Sequence, residues 1–282
     1  MEPTPGIDAY SPAEMARRVE ETGVQKAELG LGSMLALAVL AGVFIALGAA
    51  FSTVAATDPR LGYGPSRLLT GLAFSLGLIL VVVAGAELFT GNNLVVMAWA
   101  SRRVSTARLL RNWFWVYFGN FGGAAATAVA FYFTRRWEDA GGQLGATALG
   151  IAKAKCSLPF GTAFVLGVLC NALVCLAVWL CFSARSTTDK VLAIVFPITA
   201  FVALGLEHSV ANMYFIPLGM LLRSEPVVLA AGGWGPEAVS RVGWEGLLGN
   251  LLPVTLGNVV GGGLMVAAVY WSVYLRDSRK PA

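Results

Sequence analysis

Residues 71–92 read GLAFSLGLILVVVAGAELFTGN, and residues 201–212 read FVALGLEHSVAN. They lie within apolar runs at 68–100 and 191–222, both far longer than the roughly 20 residues a bilayer core requires. Each run carries one glutamate inside the pattern Gly-x-Glu-x-x-x-x-Asn: Gly85, Glu87 and Asn92 in one, Gly205, Glu207 and Asn212 in the other. A carboxylate at membrane depth faces protein interior or a water-filled path. Backbone freed from a helix is tolerated there only when it lines a cavity or is buried in protein. The pattern therefore predicts two interrupted helices whose half-helix ends aim partial charges at whatever fills the cavity. Glu87 reads as a strut that holds the break; it should be paired or hydrogen-bonded.

Outward from these two stretches, a second pair of motifs appears: Gly119-Asn120 in FGNFGG and Gly257-Asn258 in LGNVVGGG. Six apolar runs, at 30–56, 68–100, 112–134, 158–182, 191–222 and 247–275, hold both motif pairs in matching order. The chain is thus expected to be an all-α integral membrane protein with six transmembrane helices. A unit of three helices occurs twice, at about 29–134 and 158–275. Three is odd, so the copies run in opposite senses, a 3+3 inverted repeat with interrupted second and fifth helices, which is a transport architecture.

Composition agrees. Hydrophobic residues make up 57% and charged residues 13%, against about 25% charged in soluble domains, and mean hydropathy is +0.70. A soluble enzyme, a disordered chain and a nucleic-acid binder are excluded as classes, and the net charge of +4 is charge beside a membrane. Lys and Arg number twelve in the two tails and the segments 101–111 and 183–190, against eight in 57–67, 135–155 and 223–246. The positive-inside rule then puts both termini in the cytoplasm of a multi-pass inner-membrane protein. Residues 1–28 form a cytoplasmic amphipathic segment, 29–275 the channel domain and 276–282 a cytoplasmic tail. Ser11-Pro12-Ala13-Glu14 reads as a capping box with Pro at the first helical position. No signal peptide is expected. Cys156, Cys170, Cys175 and Cys181 read as packing residues. With one histidine and no nucleotide- or metal-binding motif, neither cofactor nor metal site is expected.

The stretches FSLGLILVVVAGAELFTGN, LCNALVCLAVW, GLEHSVANMYFIPLG and NLLPVTLGNVVGGG resemble the formate/nitrite transporter family, closest to its bacterial formate channels. The resemblance runs from about Ala13 to Arg276. It implies an aquaporin-like protomer, a pore through each protomer and a homopentamer. It also implies roles for single residues: His208 as the central proton donor or relay, Lys155 as the anion-attracting lysine at the mouth, and Thr90 facing the histidine. Asn171, Asn258 and Glu207 fall on the same pathway, while Phe74, Leu78, Phe89 and Phe201 resemble apolar constrictions on either side of His208. Lys153 is an alternative to Lys155 by register. Nitrite and hydrosulfide are alternative substrates; an intramembrane enzyme built on Glu207 and His208 is a remote one, because adjacent residues point apart.

The energetics favour crossing as the neutral acid. Protonating an acid of pKa roughly 3.5 at pH 7 costs about 5 kcal/mol. Moving a bare carboxylate into an apolar slit has an idealised cost of order 20 kcal/mol.

Overall fold

The computed structural model describes residues 9–57 and 59–276. Segments 1–8 and 277–282, the outer parts of the expected cytoplasmic tails, lie outside the described residues. The regular elements are all helical. Helix α1 (Pro12–Glu28) begins with the expected capping box, in which the Ser11 hydroxyl accepts from the Glu14 N–H and the Glu14 carboxylate accepts from the Ser11 N–H. Its face of Met15, Ala16 and Val19 is buried. Ion pairs tie it down: Arg103 contacts buried Glu20 and exposed Glu21, and Arg108 contacts Glu28.

Among the described residues four segments are long and apolar enough to cross a membrane, Leu31–Ala56, Tyr63–Gly85, Phe160–Cys181 and Pro236–Tyr274, and the bent pair Ser209–Leu222 and Pro226–Gly232 makes a fifth if taken as one span. The first is α2 and the third α7. The second is α3 (Tyr63–Ile79), continued by a π-helical turn Leu80–Gly85. The fourth contains α11 (Trp244–Val259), a π-helical stretch Val260–Ala268 and α12 (Val269–Tyr274). The third apolar run becomes the single helix α5 (Thr106–Phe133), its apolar character diluted by Arg108, Arg111, Asn112 and Asn120. The fifth run is two helices, α8 (Thr187–Ala203) and α9 (Ser209–Leu222), separated at 204–208. The second run breaks at 86–90 and resumes as a 3₁₀ turn Gly91–Val95 and α4 (Val96–Ala100). Both expected interruptions are therefore present. The short helix α6 (Gln143–Cys156) packs on α9 beside the second break, and α10 (Pro226–Gly232) packs on α6.

Small residues set the helix spacing, as membrane bundles require. A Cβ at Gly123 of α5 would overlap the Val39 carbonyl of α2, and one at Gly261 would overlap the Val168 carbonyl of α7. The breaks use glycine differently. Gly85 and Gly205 have φ of +82° and +72°, the left-handed region where a side chain is strained.

Candidate functional site

Each break is held by one buried network, and the two networks share a plan. At the first, Glu87 takes the ammonium of Lys26, at the end of α1, at 2.5 Å and the Asn92 amide at 2.7 Å. Asn92 also donates to Asn112, whose own amide donates to the Lys26 carbonyl. At the second, Glu207 takes Lys155, at the end of α6, at 2.8 Å and Asn212 at 2.6 Å. Asn212 also donates to Asn250, whose amide donates to the Lys155 carbonyl.

A third layer repeats as well. Asn120 donates to the carbonyls of Ala38 and Glu87 and accepts from the Phe89 N–H. Asn258 donates to those of Gly167 and Glu207 and accepts from the Ser209 N–H. The contacts to Glu87, Phe89, Glu207 and Ser209 satisfy backbone that no helix satisfies, while those to Ala38 of α2 and Gly167 of α7 tie each break to a neighbouring helix. Lys26, Asn112 and Asn250 were not singled out from sequence. An asparagine stands eight positions before each Gly-Asn asparagine, a signal present in both copies.

Where the breaks meet, His208 and Thr90 touch. His208 caps α9: its Nδ1 accepts the Ala211 N–H at 3.1 Å, and its Nε2 lies 2.9 Å from the Thr90 hydroxyl. An acceptor Nδ1 puts the proton of the neutral ring on Nε2, donating to Thr90. Asn171 donates to the carbonyls of Thr90 and Asn258, and the Cys175 thiol lies 3.3 Å from the Thr90 carbonyl. Thr90, Asn171, Asn258 and His208 are all buried.

Two cavities approach this contact. One, of about 780 Å³, is lined by Lys26, Leu78, Glu87, Leu88 and Gly91, with Arg18, Arg185 and Lys190 further out. The other, of about 270 Å³, is lined by Lys155, Phe74, Phe201, Glu207 and His208, with Arg67. Phe74 and Phe201 meet edge to face at 5.3 Å, and Phe201 stacks over His208 at 6.0 Å. Leu78 is thus on one cavity, Phe74 and Phe201 on the other. Phe89, expected at a constriction, lines neither. Its ring packs against Tyr117 at 5.0 Å and Trp113 at 6.2 Å, both on α5, because its backbone N–H is bound by Asn120 and turns the side chain toward that helix. The neighbouring Leu88 borders the cavity instead. Of the two lysines, Lys155 reaches Glu207, while Lys153 lies over the Trp234 ring.

The model of the formate/nitrite transporter family matches residues 13–272. The chain belongs to that family. It is therefore a membrane transport protein and not an enzyme. It is 42% identical to "Formate channel FocA" of Escherichia coli strain K12, over 96% of this chain and 97% of that one. It is 37% identical to a "Probable formate transporter" of Methanothermobacter thermautotrophicus, over 96% and 100%. Among solved structures it resembles a "Pentameric formate channel with formate bound" (TM-score 0.81, 43% identity, 87% of this chain and 98% of that one). An "FNT family ion channel" matches with TM-score 0.78 and 26% identity, over 92% and 98%.

Proposed function

We propose that this chain forms a channel for formate and similar small monovalent weak-acid anions, and that these cross as the neutral acid after protonation at His208. The observation that carries the reading is the His208–Thr90 contact, set between two cavities that each hold a lysine. The anion is drawn into either cavity, meets the apolar side chains Leu78 and Leu88 or Phe74 and Phe201, and takes a proton between them. Glu87 and Glu207 are neutralised struts, each held by a lysine and an asparagine.

The ring geometry suits a transient relay. Before His208 can release a proton as an acid it must carry two, and the second at Nδ1 displaces the Ala211 N–H. The charged ring therefore forms at the expense of a helix cap, and giving its proton to a carboxylate leaves imidazole and neutral acid.

The paired networks support a 3+3 inverted repeat of six spans, and the pentameric relative supports a homopentamer. We assign residues 1–28 and 276–282 to the cytoplasm and 29–275 to the channel domain in the inner membrane. Nitrite and hydrosulfide are the alternative substrates of the same pathway, because a pore of this kind selects by size and acidity.

The test is uptake of labelled formate by proteoliposomes, with and without an inward proton gradient, alongside electrical current. His208→Asn should abolish gradient-driven uptake. Full uptake without current in that variant would make His208 structural and the mechanism wrong.

A further inference from the structure

The lysine expected to attract anions in the smaller cavity is not a free charge. Lys155 lies 2.8 Å from Glu207, with side chains only 13% and 5% exposed, so the pair presents a dipole rather than a net charge. The other cation lining this cavity is Arg67 of α3. Its Nε donates to the Ala203 carbonyl at 3.1 Å and its Nη2 to the Val202 carbonyl at 2.6 Å. These are the last carbonyls of α8, just before the second break. A Cβ at Gly205 would lie 3.2 Å from Nη2, so the guanidinium sits directly on that break. Among the described residues no carboxylate pairs with it.

We infer that Arg67 is the charge that collects the anion in the Lys155 cavity, while Lys155 serves chiefly to neutralise Glu207. This rests on reading the cavity as an anion pathway. The end of α8 contributes roughly −0.5 elementary charge, which offsets about half of the guanidinium. The remainder is still positive, and the cavity has no second unpaired group to cancel it. Arg67 spends only two of its five N–H donors on the α8 carbonyls, and the others are available to a carboxylate oxygen. Capping α8 and drawing the anion are compatible, because the bonds that hold the guanidinium also keep its charge on the cavity that Glu207 and His208 line.

The charge is measured directly by thiol labelling. Ala154 lines the same cavity and is exposed. Purified Ala154→Cys protein in proteoliposomes is treated with a negatively and a positively charged methanethiosulfonate, and the chain without that cysteine supplies the background from Cys156. Arg67→Gln should lower the anionic-to-cationic rate ratio about tenfold, the scale expected for one partly screened charge within the cavity. Arg67→Met, which keeps the apolar stem, should do the same. Arg67→Lys retains the charge but not the forked cap, and should stay within about twofold of the parent. An unchanged ratio in either neutral variant overturns the inference. So does a Lys variant that falls as far as Gln, since the cap alone would then be responsible. Labelled-formate uptake by the same vesicles tests the channel reading separately. Uptake with an unaltered ratio sinks only the assignment of Arg67; an altered ratio without uptake sinks only the channel.

Discussion

Replacing Glu207 by Gln changes one atom of the side chain and should nonetheless be severe. The carboxylate receives Lys155 on Oε1, and Asn212 and Asn250 on Oε2 at 2.6 and 3.2 Å. All of these neighbours are donors. An amide has one oxygen, so whichever way it turns, its NH₂ faces either the ammonium or the two asparagine amides. One buried donor-to-donor contact is unavoidable. Removing one partner of a buried pair costs about 3–5 kcal/mol, and the slight exposure of Lys155 argues for the lower figure, about 3 kcal/mol.

Lys155→Met alone strands the carboxylate and should cost a similar amount. In the double variant the amide turns its NH₂ toward the vacated side and keeps its oxygen on the asparagines. The double variant should therefore be more stable than the sum of the singles predicts, by about 2 kcal/mol, within the range for residues in one network. The assay is the midpoint of SDS denaturation of the purified protein for all four members of the cycle. Additive losses, or a Glu207→Gln protein as stable as the parent, would refute the strut assignment. Glu87→Gln should cost less than Glu207→Gln, because its lysine is 27% exposed and water can take over part of the ion pair.

Three further outcomes follow. Leu88→Ala, buried at the cavity wall, should raise formate flux at a cost of about 2–5 kcal/mol, whereas Phe89→Ala should cost about 3–5 kcal/mol and leave flux unchanged; uptake separates the two. Asn120→Ala and Asn258→Ala each remove three hydrogen bonds and leave one carbonyl and one N–H of the break unpaired, so both should lower stability by similar amounts, about 3 kcal/mol, and a large difference between them would break the equivalence of the two networks. For orientation, a cysteine at exposed Ser105 should resist an impermeant thiol reagent outside intact cells while one at exposed Ala140 reacts; the reverse would invert the assigned topology.

The legible part of this chain is the part that occurs twice. Gly85 and Gly205, Glu87 and Glu207, Asn92 and Asn212, Asn120 and Asn258 are visible by comparing the sequence with itself, because each break must satisfy the same loose backbone. The lysines were harder to see. Lys26 and Lys155 lie on helices outside the apolar runs, at unlike distances from the glutamates they serve, 61 and 52 residues along the chain. Phe89 was misplaced for a local reason. At the turn into 89–90 the Leu88 and Phe89 side chains diverge, so a one-residue error exchanges the cavity wall for the protein interior.

What self-comparison cannot find is where the copies differ, and there the proposed chemistry resides. Counting from the glutamates, His208 occupies the register of Leu88, and Ser209 that of Phe89. The Asn258 contact to Ser209 N–H matches the Asn120 contact to Phe89 N–H, so the backbone frame around both positions is equivalent. One frame carries an apolar side chain at the edge of its cavity, and the other carries a titratable ring with Thr90 across from it. A frame that demands only backbone partners leaves that position free to vary, and this freedom admits one histidine without a counterpart. The repeated contacts thus explain how the breaks are held, and the departure from them marks the place of the proposed proton transfer.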